Sequence, residues 1–227
     1  KENNFKKIIS WNIGMWQIGA TVSSVLGGFL AAISLRLPIY LTIIPFTIAF
    51  ILAFFIIEPV YEKEKKKNVL KHMQTSFKSF ISNKQLLLLG IITVLLFAFS
   101  ETTHTFDPTF YAYKDITIQY MGIISASGFI LSFFGSILAA HYLSRKLNDK
   151  NILLLSTIMH AALLLAATFF LGFYVALAII LGSFFWGMRL PIITDMFNKN
   201  TDSKKRATIL SIGSLASLIG FALYAPL

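Results

Sequence analysis

The sequence has no cysteine. Disulfide frameworks, thiolate metal centres and cysteine nucleophiles are therefore excluded, and thiol usage says nothing about redox compartment. Charge is scarce as well, at 13% of 227 residues with ten acids in all. The four histidines are scattered without metal-ligand spacing, so no metal is expected. No Walker loop and no nucleophile-base constellation occurs, so the chain is not read as an enzyme and no cofactor is expected. What is abundant is apolar sequence: 56% hydrophobic residues and a mean hydropathy of +0.72, far from a soluble globular domain. This is the composition of a membrane protein.

A helix needs about 20 residues to cross a hydrocarbon core of about 30 Å. Seven runs are long enough: Ile13 to Ile33, Ile39 to Ile57, Leu86 to Tyr113, Ile116 to Leu143, Ile152 to Gly172, Phe173 to Phe197 and Ala207 to Leu227. None alternates with the period of two that a barrel strand requires, and a spanning segment must satisfy its backbone internally. The fold class is thus an all-α membrane protein, a polytopic helix bundle.

The net charge of +10 does not point to nucleic acid, because the basic residues fall in short loops between apolar runs rather than on one face. With the N-terminus cytoplasmic and seven crossings, one side holds Lys1, Lys6 and Lys7, then the lysines from Lys63 to Lys84, then Arg145, Lys146 and Lys150, then Lys199, Lys204, Lys205 and Arg206. The other side holds only Arg36 and Lys114, and Arg189 stays within a helix. This asymmetry is the positive-inside pattern, and one missed crossing would destroy it.

The longest loop opens at Glu58-Pro59, where proline ends a helix, and runs YEKEKKKNVLKHMQTSFKSFISNKQ. Val69, Leu70, Met73, Phe77, Phe80 and Ile81 recur in it at helical spacing, with lysines between them. That pattern fits an amphipathic helix on the inner membrane surface and equally a solvated connector that packs on its neighbours.

An internal repeat is visible. KKIISWNIGMWQIG near the start matches RATILSIGSLASLIG near the end, and aligning Gly19 with Gly220 puts Ser10 on Ser211, Ile8 on Ile209 and Ile9 on Leu210. Six crossings separate the two copies, which suggests parallel six-helix halves.

On these landmarks the chain resembles the major facilitator superfamily, and within it the drug-efflux and exporter-like members of low-GC bacteria. The landmarks are a small-residue first helix, a second helix ending in Glu58-Pro59, a basic central loop, and the repeat. The resemblance implies a fragment covering helices five to eleven of a twelve-helix fold with two six-helix halves. Residues 1–57 would close the N-terminal half, 58–85 form the cytoplasmic loop, and 86–227 supply helices seven to eleven; the absence of an initiator Met and the apolar end fit that expectation. Antiporters of the family carry G-x-x-x-G-P-x-x-G-G in helix five. In GATVSSVLGG, Gly19 fits the first glycine and Gly27-Gly28 the last pair, while Ser23-Ser24 stand where Gly-Pro is expected. Gly19, Ser23 and Gly27 fall every four residues on one face, a seam for close approach of another helix, whether specific to antiporters or common to any membrane bundle. AHYLSRKLNDKN similarly echoes the family's short basic loop, with Asp149 inside the loop rather than at the end of the preceding helix.

Ionisable groups inside a span are costly and tend to face a cavity or one another. The third span contains SETTHTFDP, with Glu101, His104 and Asp107 three residues apart. Glu101 sits about 22 Å along from Leu86 at 1.5 Å per residue. It is either a proton-carrying carboxylate in the outer half of the membrane, with His104 adjoining it, or part of a wet outer mouth beyond a helix ending near Ser100. Arg189 in FFWGMRLPIITDMF can hold an anionic group or snorkel to the inner interface, and Trp186 can stack on a cationic or planar substrate or simply pack. The resemblance implies that helices seven and ten line a central cavity, which makes Glu101, His104, Trp186 and Arg189 the candidate substrate- or proton-binding residues. His160 falls in a helix that is peripheral by the same likeness and is read as structural.

The expected activity is alternating-access transport of a small organic solute, as proton-coupled efflux, with lipid, substrate and protons as partners, in a bacterial plasma membrane. The alternative is a complete seven-helix receptor, sensor or scaffold.

Overall fold

The computed structural model describes residues 2–57, 69–201 and 205–224, with side chains described from residue 11 onward and, after the central loop, from 73 onward. Glu58-Pro59, the lysine-rich stretch to Asn68, the side chains of Val69 and Leu70, Lys204, and residues 225–227 lie outside the described residues. Among the described residues every regular element is helical.

Among the described residues seven helical stretches are long and apolar enough to cross a membrane: Trp11–Ile33, Arg36–Ala53, Lys84–Tyr113, Ile118–Lys146, Asp149–Phe169, Phe173–Asn200 and Arg206–Tyr224. The first is the apolar part of α1 (Glu2–Ile33). The second is two pieces, α2 (Arg36–Leu41) and α3 (Ile43–Ala53). It breaks at Thr42 because Pro45 has no N–H to give to the Leu41 carbonyl. It also ends earlier than the apolar run suggests, with Phe54 and Phe55 in a turn.

After α4 (Val69–Ser82), α5 (Lys84–Tyr113) starts on Asn83, whose side-chain oxygen accepts from the backbone N–H of Gln85 (3.0 Å) and Leu86 (3.3 Å). This cap moves the start two residues before the first leucine. α6 (Ile118–Ile137) continues through a π-helical turn, Leu138–Leu143, into the short α7 (Ser144–Lys146). α8 (Asp149–Phe169) and α9 (Phe173–Asn200) are joined by Gly172, whose φ of +58° suits the one residue without a Cβ. α10 is Arg206–Tyr224.

Packing is uneven. The main interfaces are α1 on α6, α6 on α9, α8 on α9, and α5 on α10. α4 lays Ser76 and Phe80 into the bundle, with Phe80 against Gly90, and leaves Met73, Phe77 and Ile81 exposed. Both ends of the α8–α9 pair are pinned by polar contacts. At one end, the Lys114 ammonium donates to the carbonyls of Thr168 and Phe170, both at 2.9 Å, a cation on the last carbonyls of α8. At the other, Lys199 lies 2.9 Å from Asp149 at the start of α8 and 2.6 Å from Asp195 one turn back on α9.

The tight crossings are made by small residues, as expected where lipid offers no hydrophobic drive to association. A Cβ on Gly187 would run into the Ser132 carbonyl, and one on Gly135 into the Phe184 carbonyl, so α6 and α9 meet backbone to backbone. On α1 the close approach falls on Gly28 and Ser24: a Cβ on Gly28 would sit 3.0 Å from the Gly122 Cα. Gly19 and Gly27 have nothing within 4 Å of such a Cβ, and Ser23 is exposed. The Gly19-Ser23-Gly27 face is therefore not the one that meets a helix of the described bundle. The α6-facing stripe is rotated one residue along, through Gly14, Gln17, Ser24 and Gly28.

Candidate functional site: a polar, aromatic cavity in one half of the bundle

α5 does not stop at Ser100. It runs unbroken to Tyr113 with Pro108 inside it, so SETTHTFDP is helical throughout. Its Ser100, Glu101, Thr103, His104, Asp107 and Tyr111 form one wall of a cavity of about 220 Å³. α6 contributes Ile124, Ser125, Gly128, Phe129 and Ser132, α9 contributes Ile179, Ser183 and Trp186, α8 contributes His160 and Leu164, and α1 contributes Trp16. All these stretches lie toward the end of the bundle that holds the Lys114–Thr117 turn or near mid-span. His104 remains 60% exposed, so the cavity is not sealed.

Within α5, His104 turns to Asp107 rather than to Glu101. Its Nδ1 lies 3.0 Å from the Asp107 carboxylate, three residues on. The Glu101 carboxylate has no hydrogen-bond partner among the described residues, although its backbone carbonyl accepts from Thr105 Oγ1 at 2.8 Å. Glu101 is half-buried on the cavity wall.

Three rings then cross the cavity from helix to helix. The Trp16 and Phe129 centroids are 5.6 Å apart at 88°, and those of Phe129 and His104 are 6.3 Å apart at 88°. This edge-to-face geometry is favoured by the ring quadrupoles. Beneath it, Gln17 Nε2 donates to Ser132 Oγ at 2.5 Å, a buried bond between α1 and α6. Both residues are about 1% exposed, and the Gln17 Oε1 has no hydrogen-bond partner among the described residues.

Of the residues singled out in sequence, Glu101, His104 and Trp186 meet at this cavity and Arg189 does not line it. Arg189 is 7% exposed on α9, one turn beyond Trp186, and its Nε and Nη2 are buried without hydrogen-bond partners among the described residues. It is buried in protein rather than snorkelling to an interface. His160 is both structural and a wall residue. Its Nδ1 is 2.7 Å from the Gly182 carbonyl. A carbonyl only accepts, so Nδ1 carries a proton. Trp16, Phe129, Tyr111 and Asp107 join the wall without having been chosen from sequence. Only Asp107, by its place in the Glu101-His104-Asp107 spacing, carried a signal. Among the described residues no three His, Asp or Glu side chains form a metal-ligand group.

With the seven spans and the cavity in view, comparison with known families is decisive. The Major Facilitator Superfamily model matches residues 1–225. The chain belongs to the major facilitator superfamily. Searches of the curated proteins and of the solved structures return no match. Members of the superfamily are membrane transporters rather than enzymes, so the match favours a transporter over a seven-helix receptor or scaffold. This superfamily chain is an integral, multi-pass membrane protein whose surroundings are lipid bilayer.

Proposed function

We propose that this superfamily chain moves a small organic solute through the cavity between α1, α5, α6, α8 and α9 by alternating access, exporting it in exchange for protons. The observation that carries the reading is Glu101: a half-buried carboxylate without a hydrogen-bond partner among the described residues, on the wall of a cavity that also holds Trp186 and His104. A carboxylate that desolvates as a cavity closes prefers its neutral form, so closure and opening can load and unload a proton. The His104–Asp107 pair beside it, Tyr111 and His160 are the remaining titratable groups on the wall among the described residues, and Arg189 is a buried cation of α9 outside the lining. Import is the opposite direction of the same cycle. Export is favoured by the likeness of Gly19, Ser23, Ser24, Gly27 and Gly28 to the antiporter pattern. By the charge asymmetry of the loops, the cavity end of the bundle faces outward and the start of α1 is cytoplasmic, in the plasma membrane of a bacterium. The seven spans correspond in this reading to helices five to eleven, with residues 1–57 and 86–227 contributing to different halves and 58–85 joining them. α1 and α6 then meet at the joint between the halves.

In this reading the transporting unit is the twelve-helix protein, so proteoliposomes carrying that protein should respond to an imposed pH gradient, and Glu101→Gln should abolish the response while solute exchange at equal pH persists. An unchanged gradient response in Glu101→Gln removes Glu101 as the proton site. No gradient response in the unaltered protein removes proton coupling.

A further inference from the structure

α4 presents three different faces. Taken every fourth residue, Ser76 and Phe80 are buried, Met73, Phe77 and Ile81 are about half exposed, and Gln74, Lys78 and Ser82 are exposed. At about 100° per residue these stripes stand side by side around the helix, in that order. The first is covered by protein. The last is polar, and its Lys78 has no hydrogen-bond or ion-pair partner among the described residues. Between them lies a row of three large apolar side chains that the described bundle leaves half uncovered.

Phe80 fixes the level at which the helix sits. Its ring packs against Gly90 and joins a buried cluster with Leu86, Leu89, Leu153, Phe197 and Ile209. Leu86 and Leu89 lie in the first two turns of α5, Leu153 and Ile209 near the starts of α8 and α10, and Phe197 in the last turn of α9. All are at the end of the bundle where the loops rich in lysine and arginine fall. Gly90 is about 9 Å along α5 from Lys84 at 1.5 Å per residue, and α4 meets α10 as well as α5. The helix thus lies where the ends of two spans pass from hydrocarbon to headgroups. Leu88 and Ile91, beside Gly90, are exposed on the lipid-facing surface of α5, and the apolar row of α4 continues that surface.

Water does not suit that row, and hydrocarbon does not suit Lys78. The boundary between them suits both, with the apolar face about 5–10 Å below the headgroups and the ammonium among the phosphates. From Lys65 to Lys84 the sequence has six lysines and no acid, so the chain supplies no local counter-charge and an anionic surface does. We propose that α4 is a docking site for anionic phospholipid: Met73, Phe77 and Ile81 enter the headgroup–acyl boundary and Lys78 takes lipid phosphate, tying the ends of α5 and α10 to the leaflet beside them. This interaction is independent of the solute carried and of its coupling.

The test is photo-crosslinking of the intact protein in phosphatidylcholine vesicles. One sample contains phosphatidylglycerol with a photoactivatable diazirine high on its acyl chain, a parallel sample contains the same probe on phosphatidylcholine, and adducts are mapped by mass spectrometry. Adducts are expected on Met73, Phe77 and Ile81 and not on Gln74 or Ser82. The phosphatidylglycerol yield on α4 should be about fivefold higher, the factor that one lysine contributes near an anionic surface. Phe46 and Phe50 of α3, exposed on a helix without a cation, serve as the internal reference and should show no preference. Lys78→Gln should at least halve the preference on α4. Labelling of α3 without α4 would mean that protein or water covers the apolar row, and would overturn the proposal. Equal yields from the two lipids on α4, equal labelling of Gln74 and Phe77, or a preference indifferent to Lys78→Gln would overturn it too. The comparison of the two lipids needs no variant, so it decides the matter even if Lys78→Gln does not fold.

Discussion

The span formed by α2 and α3 and the span formed by α9 have the same mean hydropathy, yet none of the first is buried in the bundle and half of the second is. α3 reads IIPFTIAFILA, all bulk and no seam, and Phe46, Ile43 and Phe50 are largely exposed. α9 reads FYVALAIILGSFFWGMRLPIITDMFNKN and buries Gly182, Gly187, Arg189, Asp195 and Asn198 among its neighbours. Both satisfy the hydrocarbon core equally well, because lipid tails and buried leucines are alike in polarity. What separates them is shape and polarity at particular positions. Glycine and serine let α9 meet α6 backbone to backbone and take the His160 ring of α8 against Gly182, and its polar groups have protein rather than lipid around them.

The largest expected effect breaks α9 at its crossing. Gly187→Leu would push a branched side chain into the Ser132 carbonyl, which has no flexible end to move aside. The cost is about 3 kcal/mol or more, the upper part of the overpacking range, and it should appear as loss of the monodisperse species in thermal size-exclusion assays. The second effect is at α1. Gln17→Leu removes the bond to Ser132 across the α1–α6 interface, worth about 0.6 kcal/mol on average for polar pairs between membrane helices and up to about 1.7. A modest drop in midpoint temperature in the same assay is expected. Third, Lys199→Ala removes the link from α9 to Asp149 of α8. Its side chain is 57% exposed, so solvent screening limits the loss to about 0.5 kcal/mol, and the loss should shrink further at high salt. The smallest effect is Phe46→Leu in α3, which should leave the midpoint unchanged within about 0.5 kcal/mol. If Phe46→Leu proved as costly as Gln17→Leu, the contrast between the two spans would be wrong.

Legibility followed the range of the physics. The seven spans were readable to within a few residues, since each depends on a local apolar run, and the errors fell where polar caps and prolines act: Asn83 starts α5 early, and Pro45 splits α2 from α3. The spacing of Met73, Phe77, Phe80 and Ile81 fitted the helix that α4 forms and left open whether it lies on the membrane surface or packs on its neighbours; it did not show that Phe80 turns inward against Gly90 while the other three stay exposed. At the cavity, Glu101, His104 and Trp186 stood out because polar or large aromatic residues are conspicuous inside a span. His160 was assigned only a packing role, and Trp16 and Phe129 passed unnoticed among many aromatics. Nothing within a single helix distinguishes an aromatic that faces a cavity from one that faces lipid.

Sequence alone therefore determined that the described residues hold seven helices long and apolar enough to cross a membrane, because the bilayer forces every backbone group to be satisfied within its own segment. It also determined which few residues are too polar for lipid. Tertiary structure decided the rotation of each helix about its axis. That rotation put Ser24 and Gly28, rather than Gly19 and Gly27, against α6, and kept Arg189 out of the cavity lining. A turn of about 100° per residue separates neighbouring positions, and only the packing of helices distant in sequence selects among them.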